Sequence, residues 1–74
     1  MLSNPTVARQ IAELMNDIFV RIDESVQMVR ENCADQEAAA YSRAAGRIAS
    51  SVVMDILEPL YESNPELKPP NWDS

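Results

Sequence analysis

From Val7 to Cys33 apolar residues recur at spacings of three and four: Val7, Ile11, Leu14, Met15, Ile18, Phe19, Ile22, Val26, Val29 and Cys33. At ~100° per residue they fill an arc of ~160°, and polar residues such as Arg9, Glu13, Asp17, Glu24 and Glu31 take the rest of the circumference. This pattern predicts one long amphipathic helix. "SNPT" marks its start, with Asn4 as N-cap and Pro5 at the first helical position, where a missing N–H costs nothing. The predicted span is about 5 to 32.

A second stripe follows: Ala38, Tyr41, Ala45, Ile48, Ala49, Val52, Val53, Ile56 and Leu60. No Gly or Pro separates the two stripes, yet in one uninterrupted helix their centres would differ by ~130°, so a single rod would present two unrelated faces. "ENCADQE" supplies the break. Asn32 tolerates a left-handed conformation, and Asp35 is a good N-cap with Gln36 and Glu37 in the first turn. The chain is therefore predicted to be all-α, an antiparallel helical hairpin whose second helix runs from about 35 to 58 or 62. Pro59 should kink or stop it by removing the bond to the Asp55 carbonyl. "SNPEL" repeats the cap signal at Asn64, and Pro69 and Pro70 impose an extended path. Residues 64–74 thus read as a Pro-rich tail on a 1–63 hairpin domain, docked through Trp72. Val20 and Met28, outside the main stripe, are candidate contacts for it.

Pairing around the turn sets residue i opposite roughly 69 minus i, which places Phe19 against Ala49 and Ser50, Ile22 near Ile48 and Arg47, and Val26 beside Ala44 and Ala45. Large side chains meet small ones, as interdigitated packing requires. A chain of 74 residues buries only about 60% of the surface it exposes when unfolded, and two helices cover only a narrow strip of each other. The surplus predicts a homodimeric four-helix bundle with a core of Leu14, Ile18, Phe19, Ile22, Val26, Ile48, Val52, Ile56 and Leu60. A helical partner protein in the same groove is the alternative. Ser42, Gly46 and Ser50, four apart, form a strip without bulk where another helix backbone can approach closely. Such an approach would explain Gly46, which costs a helix about 1 kcal/mol relative to alanine.

Composition bounds the chemistry. Cys33 is the one cysteine and histidine is absent, so an internal disulfide, a Cys/His zinc site and any Ser-His or Cys-His pair are excluded. The carboxylate pairs, Glu13 with Asp17 and Glu31 with Asp35, project onto polar faces. No catalytic, cofactor-binding or metal-ligating residue is expected, and the protein reads as non-enzymatic. The stretch "DESVQM" around Ser25 lacks the Asp-Ser-Leu tripeptide of acyl carrier proteins and lies within the predicted helix. A lone thiol, the absence of a basic and then apolar leader in "MLSNPTVARQ" and the absence of an apolar run of ~18 residues make cytoplasmic location, with no membrane partner, the expectation.

Six Lys/Arg against twelve Asp/Glu give a net charge of -6, which repels nucleic acid and favours a basic protein partner. Asp55, Glu58 and Glu62 sit in the last turns of the second helix, where the macrodipole favours cations, so they should find either Arg9 or a basic partner. Arg43 and Arg47, one turn apart on the outward face, are candidates to hold an acidic group, and Trp72 is a candidate contact for a partner. Two functions follow as expectations: a homodimeric interaction protein with a regulatory or adaptor role, or an acidic inhibitor or immunity-type protein that neutralises a basic partner.

Overall fold

The computed structural model describes residues 1–70 and Trp72, and within them all regular structure is helical. Asn4 opens helix α1 (Pro5–Asn32) from an extended backbone: its side-chain oxygen accepts the N–H groups of Thr6 at 3.0 Å and Val7 at 3.2 Å. Twenty-eight residues at 1.5 Å each make a rod of about 42 Å, which accounts for the 45 Å long axis of the molecule. The chain then folds back so that α2 (Asp35–Ser51) packs along α1.

The reversal differs from expectation in two respects. No described residue has a positive φ; Asn32 remains helical and donates its side-chain amide to the Met28 carbonyl at 2.8 Å. The turn is made by extended backbone at Cys33 and Ala34, which leaves Ala34 rather than Asp35 at the N-cap. Alanine has no side-chain acceptor, so only the reciprocal half of a capping box forms, with the Ala34 N–H donating to Glu37 Oε1 at 3.3 Å. Asp35 instead lies in the first turn, where its charge opposes the helix dipole favourably.

The second rod does not stop at Pro59. Val52–Leu57 forms a π-helical turn in which the Glu58 N–H reaches the Val53 carbonyl, five residues back, and α3 (Glu58–Ser63) carries the helix on. Pro59 has no N–H, and in a regular α-helix its ring would press on the Asp55 carbonyl; the wider turn just before it accommodates both problems. Phase changes as a result. Ala38, Ala45 and Val52 are buried at intervals of seven, but the next buried residues are Leu57, Leu60, Tyr61 and Asn64. The step of five from Val52 to Leu57 adds a residue, which rotates everything after it by ~100°. Leu57 and Tyr61, outside the expected stripe, therefore enter the core at 1% and 2% exposure, while Val53 and Ile56 are only half-buried.

The core sits at the open end of the hairpin. Ala8 and Ala12 of α1 receive Val52, Leu57, Leu60 and Tyr61, with Leu2, Ile11, Met15, Val53, Leu67 and Trp72 packed around them. Asn64 is also buried, and the second Asn-Pro does not repeat the first: the Asn64 amide donates to the carbonyls of Leu2 (3.1 Å) and Leu60 (3.2 Å) instead of capping a helix. This pins the N-terminal segment to the end of α3, beside a bond from the Met1 ammonium to Ser63 Oγ. A single 3-10 turn, Pro65–Leu67, follows, its Leu67 N–H bonded to the Asn64 carbonyl at 3.0 Å.

Leu60→Ala should lower stability in denaturant titration by about 2–5 kcal/mol. Deleting the exposed Met54 should cost about 3 kcal/mol without removing any buried side chain, because it removes the extra residue that widens the turn and presses the Pro59 ring on the Asp55 carbonyl, while Leu57, Leu60 and Tyr61 keep their faces. Met54→Ala, the control, should stay within about 0.5 kcal/mol of the parent.

Candidate functional site

Val7, Leu14 and Ile18 fall within ~40° of one another around α1 and are 40%, 56% and 40% exposed. Ser25 lies eighteen residues after Val7, a whole number of turns at ~3.6 residues each, and so on the same edge. Tyr41 of α2 donates its hydroxyl proton to Ser25 Oγ at 2.8 Å, and Ser25 Oγ donates to the Ile22 carbonyl at 2.6 Å. That bond fixes which edge of α2 adjoins which edge of α1. Ile48, seven residues on from Tyr41 and so within ~20° of it, therefore joins the Leu14–Ile18 side, and it is 58% exposed.

The opposite side is used differently. Near the tip, Phe19 and Val26 of α1 and Ser42, Ala45, Gly46 and Ala49 of α2 line a shallow groove of about 140 Å³. No atom lies within 4 Å of where a Gly46 Cβ would stand, so the close helix approach expected at Ser42, Gly46 and Ser50 is not made within the chain. Toward the open end the tail takes over. Leu67 and Pro69 close one wall of an open cleft of about 620 Å³ whose other wall includes Ala12, Asn16 and Val20, and Asn16 points ~160° away from Leu14 and Ile18 around α1. Of the two candidate tail contacts, Val20 lines this cleft and Met28 stays exposed.

Trp72 meets the Tyr61 ring edge-on, with centroids 4.9 Å apart and planes at 80°, and the Trp72 backbone N–H donates to the Pro69 carbonyl at 3.1 Å. The Tyr61 hydroxyl in turn accepts the Asn16 amide at 3.1 Å, which also donates to the Ala12 carbonyl at 2.8 Å. The tail is thus docked on its own hairpin, and it leaves the Leu14–Ile18–Ile48 side uncovered. Of the residues expected to build a bundle core, Val52 and Leu60 are already buried within the chain, Ile22, Val26 and Ile56 are half-buried, and Leu14, Ile18, Phe19 and Ile48 are exposed.

Arg43, Arg47, Asp55, Glu58 and Glu62 are all exposed, and none joins an ion pair among the described residues. Arg9 borders the cleft but does not bridge to the three acids, so the expected compensation is not made. Arg21 and Glu24 form a solvent-exposed pair at 3.8 Å, worth about 0–1 kcal/mol. Cys33, counted in the first stripe, is exposed at the hairpin tip. Among the described residues no three His, Cys, Asp or Glu side chains gather to hold a metal ion, and no helix is long and apolar enough to cross a membrane. The contributors that sequence reasoning missed are Leu57, Tyr61 and Asn16, and the signal for the first two was the interval of five before a proline. Compared with protein-family models, curated proteins and solved structures, the chain matches none.

Trp72→Ala should lower the thermal midpoint by about 4–8 °C, since an edge-to-face pair contributes about 0.5–1.5 kcal/mol beyond area burial and a domain of this size shifts by several degrees per kcal/mol. A double-mutant cycle with Tyr61→Leu checks that the coupling between the two rings is of that order.

Proposed function

We propose that this chain is a non-enzymatic interaction module in a regulatory or adaptor role whose first partner is a second copy of itself, two hairpins forming a four-helix bundle. The observation that carries this reading is the Leu14–Ile18–Ile48 side, exposed on both helices while the tail occupies the side opposite. Surface area points the same way. The chain exposes 5357 Å², whereas a compact monomer of 8.3 kDa exposes roughly 4,600 Å². The excess of roughly 800 Å² is about one partner's share of a standard protein interface. Full burial of a Leu or Ile side chain contributes about 1.5–3 kcal/mol, so half-exposed residues on both copies offer a substantial reserve. A second reading, capture of a basic protein, is favoured by Asp55, Glu58 and Glu62, which are exposed in the last turns of the second rod, Glu58 and Glu62 beside Lys68 in one cleft.

Light scattering at micromolar concentration should give twice the 8.3 kDa chain mass. Leu14→Glu with Ile48→Glu should reduce it to a single chain while keeping the helical circular dichroism, because both side chains lie outside the hairpin core. A folded wild-type monomer would overturn the dimer reading. For the second reading, recovery of a basic protein should be lost at low salt when the three acids become amides, and unchanged recovery counts against it.

A further inference from the structure

The tail does not seal the flank it crosses: against α1 it leaves the open cleft of about 620 Å³, within the range of about 300–1,000 Å³ common to ligand sites. Its apolar surface comes from Ala12 and Val20 of α1 and from Leu67 and Pro69 of the tail. Asn16 and Tyr61 also line it, and their hydrogen-bonding capacity is only half used. The Asn16 amide donates to the Ala12 carbonyl and to the Tyr61 hydroxyl, so among the described residues the Asn16 side-chain oxygen has no donor and the Tyr61 hydroxyl proton has no acceptor. Tyr61 is 2% exposed, so what its proton meets is whatever enters the cleft. One unmet acceptor beside one unmet donor is the complement of the N–H and C=O of a peptide chain.

Charge says which peptide. Glu13 and Asp17 on the α1 wall and Glu66 on the tail wall set three carboxylates against the single guanidinium of Arg9, and none of the three acids joins an ion pair among the described residues. A concave site of one net sign concentrates ligands of the other. Glu13 and Asp17, four residues apart, stand about 6 Å apart along the helix, and alternate side chains on one face of an extended peptide stand about 6.6 Å apart. We infer that the cleft between α1 and the tail holds an extended segment of a basic partner, its peptide groups bonded to Asn16 and Tyr61 and two cationic side chains, at alternate positions, set on Glu13 and Asp17. This rests on the second reading above, capture of a basic protein, and gives it a seat. Tyr61 also lines the smaller cleft of Glu58 and Glu62, so a protein seated in the first reaches the acids of the second. The flank lies opposite Leu14, Ile18 and Ile48, so it stays open when a second copy covers them.

Fluorescence anisotropy with a labelled Gly-Lys-Val-Lys-Gly-Gly peptide and the full chain tests it at low salt. Glu13→Gln with Asp17→Asn should weaken binding about tenfold while the helical circular dichroism is kept, since both side chains are exposed. Tyr61→Phe removes the proton donor but keeps the ring against Trp72, and should weaken binding about fivefold. Arg9→Glu extends the row of acids by one turn and should tighten it about threefold. A peptide of the same composition with its lysines adjacent points them to opposite faces and should bind at least about threefold more weakly. Equal binding of the two peptides, untouched by the Glu13 and Asp17 changes, is unspecific attraction to an acidic chain and overturns the inference. Absence of binding to the wild-type chain overturns it too. Loss of binding only when Asp55, Glu58 and Glu62 become amides overturns the cleft and leaves the capture reading standing. That reading has its own test in the recovery of a whole basic protein, so the two fail separately.

Discussion

Pro59 cannot donate a backbone hydrogen bond, and its ring has no room above the Asp55 carbonyl in a regular helix. The π turn at Val52–Leu57 resolves that conflict without ending the rod, and the rest of the open end depends on the rotation it introduces. With regular spacing Leu57 and Tyr61 would turn out of the contact with Ala8 and Ala12. Because Tyr61 is turned inward, its hydroxyl reaches Asn16 and its ring receives Trp72. A local backbone irregularity therefore controls both the core and the docking of the tail.

Packing along the hairpin alternates in sense. Near the tip, α2 contributes the small buried residues Ala38 and Ala45, while α1 carries the half-buried Ile22, Val26 and Val29, of which Ile22 and Val26 share a groove with Ala45. At the open end α1 contributes Ala8 and Ala12, and the far rod supplies the bulk. Each helix is thin where the other is thick, so the two stay close along their length and interdigitate. Asn64 closes the open end with two hydrogen bonds from one buried amide, which secures the N-terminal segment without adding apolar mass.

A two-helix structure has two long flanks, and this chain treats them unequally. The Pro-rich tail crosses the flank that carries Asn16 and Val20, while the flank with Leu14, Ile18 and Ile48 keeps its side chains in solvent. Exposed single apolar residues are ordinary, but these come from both helices and are joined across the seam by the Tyr41–Ser25 bond.

Helix α1 and its Asn4 cap, the reversal near 33–34 and the change of stripe phase across it were legible in the residues, because 3.6-residue periodicity and side-chain capping are local properties of the chain. The apolar surplus was legible for the same reason, since stripe width can be read from sequence. Tertiary structure decided what depends on neighbours in space. The Asn-Pro at 4–5 caps a helix, whereas the Asn-Pro at 64–65 has the Leu2 carbonyl within reach and binds that instead. Pro59 could as well have ended the helix; packing of Leu57, Leu60 and Tyr61 against two alanines favours a widened turn that continues it. Which flank stays open was likewise outside the reach of sequence: Trp72 is free to approach either side of an isolated hairpin, and the rotated Tyr61 ring places it on one.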